Sequence, residues 1–466
     1  MRRNFFLLRV SEHWNRLPRG VLEFPFLETF RIHLGLQEAK TDISMATKDE
    51  VHHVRQSPGV SEGEIKATRK RREKVLMCLE KLGIHCEKNN VPTIVVLGSG
   101  GGLRAMIALL GTLVELKKQN FLDAVTYLCG VSGSTWCMSL LYGNGKWSEK
   151  LMSLEKELYE SLSNSSWHIA KAEESLEESS NDENYSLTDF WAACFVYQIL
   201  QQFDENELAD HKEASETGIN PYPIYAAVDK EKLSEKGGNF PGTWFEFTPH
   251  EAGYTALGAF VSTRYFGSEF EKGKLKKKKK KHICYMQGLW GSALGSMEEN
   301  IKFIRANIKP SYLVENKTIS LIDAGLAINS AYPLVLQAQR QADLIISFDF
   351  SSGDPFETIK KTASYCWENN IPFPKIEDQK MDENNPSDCY IFRGDKSCPT
   401  VMHFPLFNNA NCSGKVEDYR EQFSTFQMSF PGEAIKDLLK KAGLNVSNNR
   451  DFVFDYEAII YKNILI

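Results

Sequence analysis

The chain has 466 residues, 42% of them hydrophobic and 25% charged, with a formal net charge of −6. That length supports a large buried core, and a net negative charge offers no global basic field, which argues against nucleic acid as a partner. No run of about 18 apolar residues occurs, so no membrane-spanning helix is expected; ten cysteines without a CxxC pair point to reduced thiols in a cytoplasmic protein, not to a zinc site.

Residues 1–60 mix apolar and polar clusters without a clear period and read as an N-terminal extension. The basic start, Met1-Arg2-Arg3, leads into an apolar run too short for a secretory leader, and Glu12, Glu23 and Glu28 count against a mitochondrial one. One domain is expected over 61–466. From Glu62 to Leu82 an apolar stripe of Val75, Leu76, Leu79 and Leu82 predicts a helix. Thr93-Ile94-Val95-Val96-Leu97 is a continuous apolar run, the pattern of a strand buried on both faces. Gly98 to Gly102 break it, and Leu103–Gln119 predicts a helix burying Met106, Leu109, Leu110, Leu113, Val114 and Leu116. Ala124–Cys129 reads as a second strand, Gly130–Ser134 as a second tight turn, and Trp136–Tyr142 as the start of a second helix. This alternation implies crossover connections and a parallel sheet, so both glycine turns leave from the same carboxyl edge, where open α/β sheets hold ligands.

Residues 150–185 are polar and acidic and read as a solvated helix or connection; insertions are expected around 150–240 and 265–315, the second containing the run Lys276–Lys281. Ser296–Val314 reads as a short polar-helical link, and Thr318–Ile322 and Leu344–Phe350 as further buried strands.

Three segments carry chemistry. Gly130-Val131-Ser132-Gly133-Ser134 sets a serine on a strand-to-helix turn, with glycines that tolerate a strained corner and a helix N-terminus that favours developing negative charge. Gly98-Ser99-Gly100-Gly101-Gly102-Leu103-Arg104 exposes several amides at a helix start, suited to a phosphate or an oxyanion. A P-loop fits badly because Leu103-Arg104 follows Gly102, and a dinucleotide fingerprint because Leu103 stands at its third glycine. Asp323 ends a strand before Ala324-Gly325, and a carboxylate there is a candidate base for Ser132, against a plain turn aspartate. His250 and His403 sit in segments that fix no catalytic role.

Gly98–Met106, Gly130–Trp136 and Leu321–Asn329 together resemble the group IV cytosolic phospholipases A2, nearest in pattern to the calcium-independent gamma type. Glu183–Trp191, Thr243–His250 and Ser347–Phe350 extend the likeness, which covers roughly residues 65–430. The resemblance implies an α/β, patatin-like three-layer core with a mostly parallel central sheet, helices on both faces and helical insertions. It implies a dyad without histidine, in which Ser132 is the nucleophile, Asp323 its base, Gly101 and Gly102 the oxyanion donors, and Arg104 and Arg340 contacts to a substrate phosphate. The implied activity is calcium-independent phospholipase A2 and lysophospholipase action through an acyl-serine, with transacylation as a second fate of the same intermediate. No cofactor and no metal are implied. The implied partners are a phospholipid membrane surface and a glycerophospholipid or lysophospholipid substrate, and the location is cytoplasmic and peripheral to intracellular membranes. Residues 1–60 are too short for the calcium-binding C2-type domain of larger members, and Tyr461–Ile466 is not a prenylation box. Lys274 and Lys276–Lys281, bracketed by Phe266, Phe270, Ile283 and Tyr285, are then the candidate membrane contact, against a plain solvated surface loop. The link 296–322 is shorter than the family's, which keeps open a catalytically impaired lipid-binding protein. A histidine-dependent esterase using Ser132, Asp323 and His403 is the other alternative.

Overall fold

A computed structural model describes residues 54–163, 196–200, 204–271, 274–292, 320–376 and 381–450 apart from Phe426 and Met428. The link expected over Ser296–Val314 and most of the acidic stretch fall outside these residues.

In chain order the strands are β1 (Arg55–Gln56), β2 (Ile94–Gly98), β3 (Tyr127–Gly130), β4 (Tyr222–Asp229), β5 (Trp244–Phe247), β6 (Glu251–Tyr254) and β7 (Ala259–Ser262). They continue as β8 (Glu269–Glu271), β9 (Lys274–Lys277), β10 (Leu321–Asp323), β11 (Leu344–Asp349), β12 (Tyr390–Phe392) and β13 (Thr400–Pro405). Among the described residues one sheet runs β1-β7-β6-β5-β4-β3-β2-β11-β13-β12, with β10 on β4, while β8 and β9 pair separately. Its centre, from β4 through β3, β2 and β11 to β13, is parallel. Antiparallel strands extend it on both sides.

The helices used below are α1 (Glu62–Lys81), α2 (Gly102–Lys118), α3 (Gly133–Tyr142), α4 (Ile283–Trp290), α5 (Tyr332–Val335), α6 (Glu357–Glu368) and α7 (Gly432–Asn448). Helices cover both sheet faces, and the strands show why. In β2, Ile94 and Val96 join one apolar cluster with α2, α3 and α7, while Val95 and Leu97 join another with α5 and α6. A strand with period two can be apolar throughout only if both of its faces are packed. Helix α2 is buried on nearly every side from Gly102 to Val114, because α7 closes its outer face. A Cβ at Gly111 would stand 2.5 Å from the Leu439 carbonyl oxygen, so only glycine allows that approach.

Two boundaries differ from the sequence reading. Arg55 and Gln56 pair with Phe260 and Ala259, so the sheet takes up part of the stretch read as an extension. The insertion expected over 150–240 ends in β4, a fully buried strand at the heart of the sheet. Its alternating Tyr222, Ile224, Ala226 and Val228 pack in one cluster with Tyr127 and Cys129 of β3, a match that sequence separation hides.

Candidate active site

Gly98 of β2 lies opposite Gly130 of β3, so the two glycine turns leave the sheet at the same level. They then press together. A Cβ at Gly133 would fall 1.9 Å from the Gly102 carbonyl oxygen, and one at Gly100 would fall 3.0 Å from Ser132 Cβ. Ser134 Oγ donates to the Ser99 carbonyl at 2.6 Å, stitching the serine turn to the glycine loop. Ser132 caps α3 with φ 50° and ψ −122°, a left-handed conformation that a residue with a Cβ adopts only under strain. That corner turns the side chain out of the strand line and aims the N-terminus of α3 at it. The residue is nearly enclosed, at 7% exposure.

The glycine loop spends its donors unevenly. Ser99 N donates to Phe348 O and Gly100 N to Asn329 O, both at 3.1 Å. The amides of Gly101 and Gly102 have no main-chain acceptor among the described residues. They open α2, where first-turn donors lack intrahelical partners; φ is 149° at Gly101, a value that suits glycine, and 60° at Gly102, which glycine adopts without the cost of a Cβ.

Asp323 reaches the same place from the other end of the chain. β3 pairs with β4 as far as Gly130 opposite Tyr225; β4 then runs on, and β10 takes up the vacated edge with Asp323 opposite Ala227. Two residues of strand rise set Asp323 about 7 Å beyond Gly130 in the same lane, where the chain has just turned into Val131 and Ser132. The Asp323 side is fully buried, with Oδ1 accepting from Gly325 N at 2.8 Å and its own N–H donating to Ser292 Oγ at 3.1 Å. A Cβ at Gly325 would meet Asp323 Oδ1 at 3.1 Å, Asn329 Oδ1 at 2.9 Å and Val131 Cγ1 at 3.6 Å, so the aspartate turn touches the serine turn. Among the described residues no hydrogen bond joins the Ser132 hydroxyl to the Asp323 carboxylate; such contacts are often loose before a ligand binds.

The arginines divide. Arg104 is brought to the glycine loop: its Nη2 would stand 2.7 Å from a Cβ at Gly101. It is 1% exposed, with Nε on Phe350 O at 2.7 Å, Nη1 on Phe423 O and Nη2 on Thr425 Oγ1 at 3.1 Å, so its three nitrogens tie the first turn of α2 to residues 350 and 423–425. Burial pulls its pKa down to about 10, partly offset by Asp349, which leaves it a cation at neutral pH. Arg340 corrects the sequence expectation. Its five donors are spent on Glu64, Glu246 and the Leu334 carbonyl, at 2.7–3.1 Å. Its side chain is fully buried, so no donor is left for a phosphate. Burial alone would lower its pKa, but the two carboxylates hold it well above the ordinary value, while burial raises that of Glu64.

His403 does not serve the serine. It lies on β13, separated from β3 by β11 and β2, or about 14 Å of sheet. Its Nε2 is 2.7 Å from the Pro355 carbonyl oxygen, and burial lowers its pKa. The apolar bracket expected around the lysine run is also corrected: Phe266, Phe270, Ile283 and Tyr285 are core residues, at 5% exposure or less. Several lysines of the run are engaged within the protein, as in Lys280 with Glu207 at 2.9 Å and Lys281 over the Tyr285 ring at 3.9 Å.

Sequence reasoning missed the residues that join the turns: Ser99, Ser134, Ser292, Asn329 and Ser351. Asn329 and Ser134 stood inside the motifs, but their partners lie 229 and 35 positions away.

Comparison with known proteins gives concordant results. The family described as the lysophospholipase catalytic domain matches residues 94–307. Human cytosolic phospholipase A2 gamma is 35% identical, over 84% of this chain and 94% of its own length. The Mus musculus gamma protein is 32% identical, over 84% and 90%. The alignment with the human protein runs over 512 positions, more than this chain contains, so that relative carries segments without a counterpart here. Among solved structures, human GIVD cytosolic phospholipase A2 superposes with a TM-score of 0.76 at 25% identity, covering 88% of this chain and 66% of that one. The same enzyme solved with methyl gamma-linolenyl fluorophosphonate gives 0.74 at 26% identity, covering 89% and 66%.

Proposed function

This chain belongs to the cytosolic phospholipase A2 family, phospholipase A2-type ester hydrolases, and from that premise we propose that it cleaves fatty-acyl esters of glycerophospholipids and lysophospholipids through Ser132 and Asp323. The observation that carries the assignment is the meeting of a strained serine turn, two glycine amides with no main-chain acceptor among the described residues, and a buried aspartate from a distant strand.

In the first step Ser132 Oγ bonds to the ester carbonyl carbon while its proton passes to the Asp323 carboxylate. The carbonyl electron pair moves onto oxygen, and the amides of Gly101 and Gly102 receive the resulting charge. Collapse of the tetrahedral species breaks the ester C–O bond, and the departing lysophospholipid alkoxide takes the proton held on Asp323. Water then repeats the sequence on the acyl-serine and releases the fatty acid; a lipid alcohol in place of water gives transacylation. Arg104, a cation behind Gly101, lends positive potential to the loop that faces a substrate phosphate. Calcium independence belongs to the same proposal, on the likeness to the gamma type. So does peripheral membrane contact through Lys274 and Lys276–Lys281, now as an electrostatic contact without apolar insertion. Each lysine near an anionic surface contributes about 1 kcal/mol. Replacing Lys276–Lys281 by serine is expected to weaken binding to phosphatidylserine-containing vesicles, and unchanged binding refutes this contact.

Product analysis on phosphatidylcholine with two distinct acyl chains tests the assignment. The wild type is expected to release fatty acid and lysophospholipid, and Ser132→Ala and Asp323→Ala to release neither. Turnover by a folded Ser132→Ala protein overturns it.

A further inference from the structure

An oxyanion hole acts through donors fixed before the reaction begins, yet the chain from Gly100 to Gly102 consists of glycines, the residues least able to fix themselves. Something has to hold the loop on the side that faces the ester. Asn329 meets that requirement with both its main chain and its side chain. Its carbonyl accepts from Gly100 N at 3.1 Å, and its Nδ2 donates to Gly100 O at 3.2 Å, so the amide and the carbonyl of Gly100 are both gripped by one residue. The same Nδ2 donates to Ser351 Oγ at 2.8 Å, and Ser351 N donates to Asp349 Oδ1 at 2.8 Å, which anchors the grip to the end of β11. The other end of the amide lies close to both turns. Asn329 Oδ1 would stand 2.5 Å from a Cβ at Gly100, which would itself be 3.0 Å from Ser132 Cβ, and 2.9 Å from one at Gly325, which would itself be 3.1 Å from Asp323 Oδ1.

Asn329 also belongs to the aspartate segment. The short helical turn Ala324–Leu326, then Ala327 and Ile328, separate it from Asp323, with Ala327 N and Ile328 N both bonded to Ala324 O. One side chain therefore ties three separate stretches, 98–102, 323–329 and 349–351, at the point where they converge.

We infer that Asn329 is a positioning residue that sets the oxyanion loop against the Asp323 turn, an inference that rests on the Ser132, Asp323 and Gly101–Gly102 reading above. By holding Gly100 through both of its peptide groups it consumes that amide and leaves those of Gly101 and Gly102 as the donors toward the ester. The role requires an amide: aspartate keeps the size and loses the N–H donor, and alanine loses both ends.

The test uses the full chain and phosphatidylcholine in mixed micelles, with kcat, KM and thermal midpoint measured together. Asn329→Ala is expected to lose about 10- to 100-fold in kcat while KM stays within about three-fold, as loss of preorganised electrostatics predicts. Asn329→Asp is expected to fall as far as Asn329→Ala. Ser351→Ala, which removes only the anchor, is expected to lose about three- to ten-fold, and adding it to Asn329→Ala to cost nothing further. The inference is overturned by a kcat for Asn329→Ala within about two-fold of wild type, by a change confined to KM, or by full activity of Asn329→Asp. Should Asn329→Ala not fold, Ser351→Ala decides by the same kcat-against-KM split. A parallel Ser132→Ala separates the two readings. Activity there refutes the nucleophile, whereas an inactive Ser132→Ala beside a fully active Asn329→Ala refutes the positioning role alone.

Discussion

Replacing Gly133 by alanine adds one methyl group at the closest approach in the site. Its carbon would stand 1.9 Å from the Gly102 carbonyl oxygen, 2.7 Å from that carbonyl carbon and 3.0 Å from its Cα. A carbon and a carbonyl oxygen rest roughly 3.3 Å apart, so the glycine loop has to retreat by about 1.4 Å. Gly102 carries one of the two proposed oxyanion amides, and a hydrogen-bond donor moved that far no longer serves. Loss of one such donor raises the barrier by about 2.7–4 kcal/mol, or 10²- to 10³-fold in kcat. Crowding of a packed turn costs about 1–3 kcal/mol of stability, so the protein is expected to fold and its kcat to be the larger casualty. Gly143→Ala is the control. It sits at the far end of the same helix with φ −63°, and its nearest contact for a Cβ is 3.5 Å. Steady-state hydrolysis of phosphatidylcholine beside thermal denaturation reads both quantities. A Gly133→Ala enzyme with kcat within about three-fold of wild type would refute the claim that the two turns form one catalytic surface.

Arg340→Met leaves Glu64 and Glu246 buried without their shared cation, and is expected to cost about 3–5 kcal/mol in chemical denaturation. KM of the folded fraction is expected to be unchanged, and a raised KM would restore the phosphate role. His211 gives a pH prediction: burial lowers its pKa to about 4 from an ordinary 6.5, with Asp210 opposing the shift. The unfolded chain therefore takes up a proton near pH 6.5 that the native protein refuses until about pH 4, so stability falls as pH drops through that window and is intact above it. At pH 5 the penalty is about 2 kcal/mol. His211→Gln is expected to flatten the decline between pH 7 and 5 in urea titrations, and a slope equal to that of wild type contradicts it.

The parallel centre of the sheet was legible because β2 and the helix after it announce themselves locally. A strand buried on both faces has to be apolar throughout, and Ile94–Leu97 is; glycines then mark the turn, and α2 follows with apolar residues on every side. Ser132 and the glycine loop were legible for the same reason. β10 was harder, since a three-residue strand carries little pattern, and its alignment with Ala227–Asp229 depends on β3 ending opposite Tyr225, two residues earlier along β4. Arg340 was misjudged because its meaning lies in two carboxylates 276 and 94 positions away. An arginine near a motif looks available until its partners are known. Asn329 illustrates the converse: its place in the motif was visible, but its grip on Gly100 and Ser351 arises only when three distant segments fold together.

Tandem mass spectrometry of the protein after reaction with a long-chain fluorophosphonate interrogates the serine assignment at the atom where bond formation is claimed. One phosphonyl adduct is expected, on Ser132, absent from Ser132→Ala and formed far more slowly in Asp323→Asn. An adduct on a different side chain, or undiminished labelling of the Ser132→Ala protein, would contradict it.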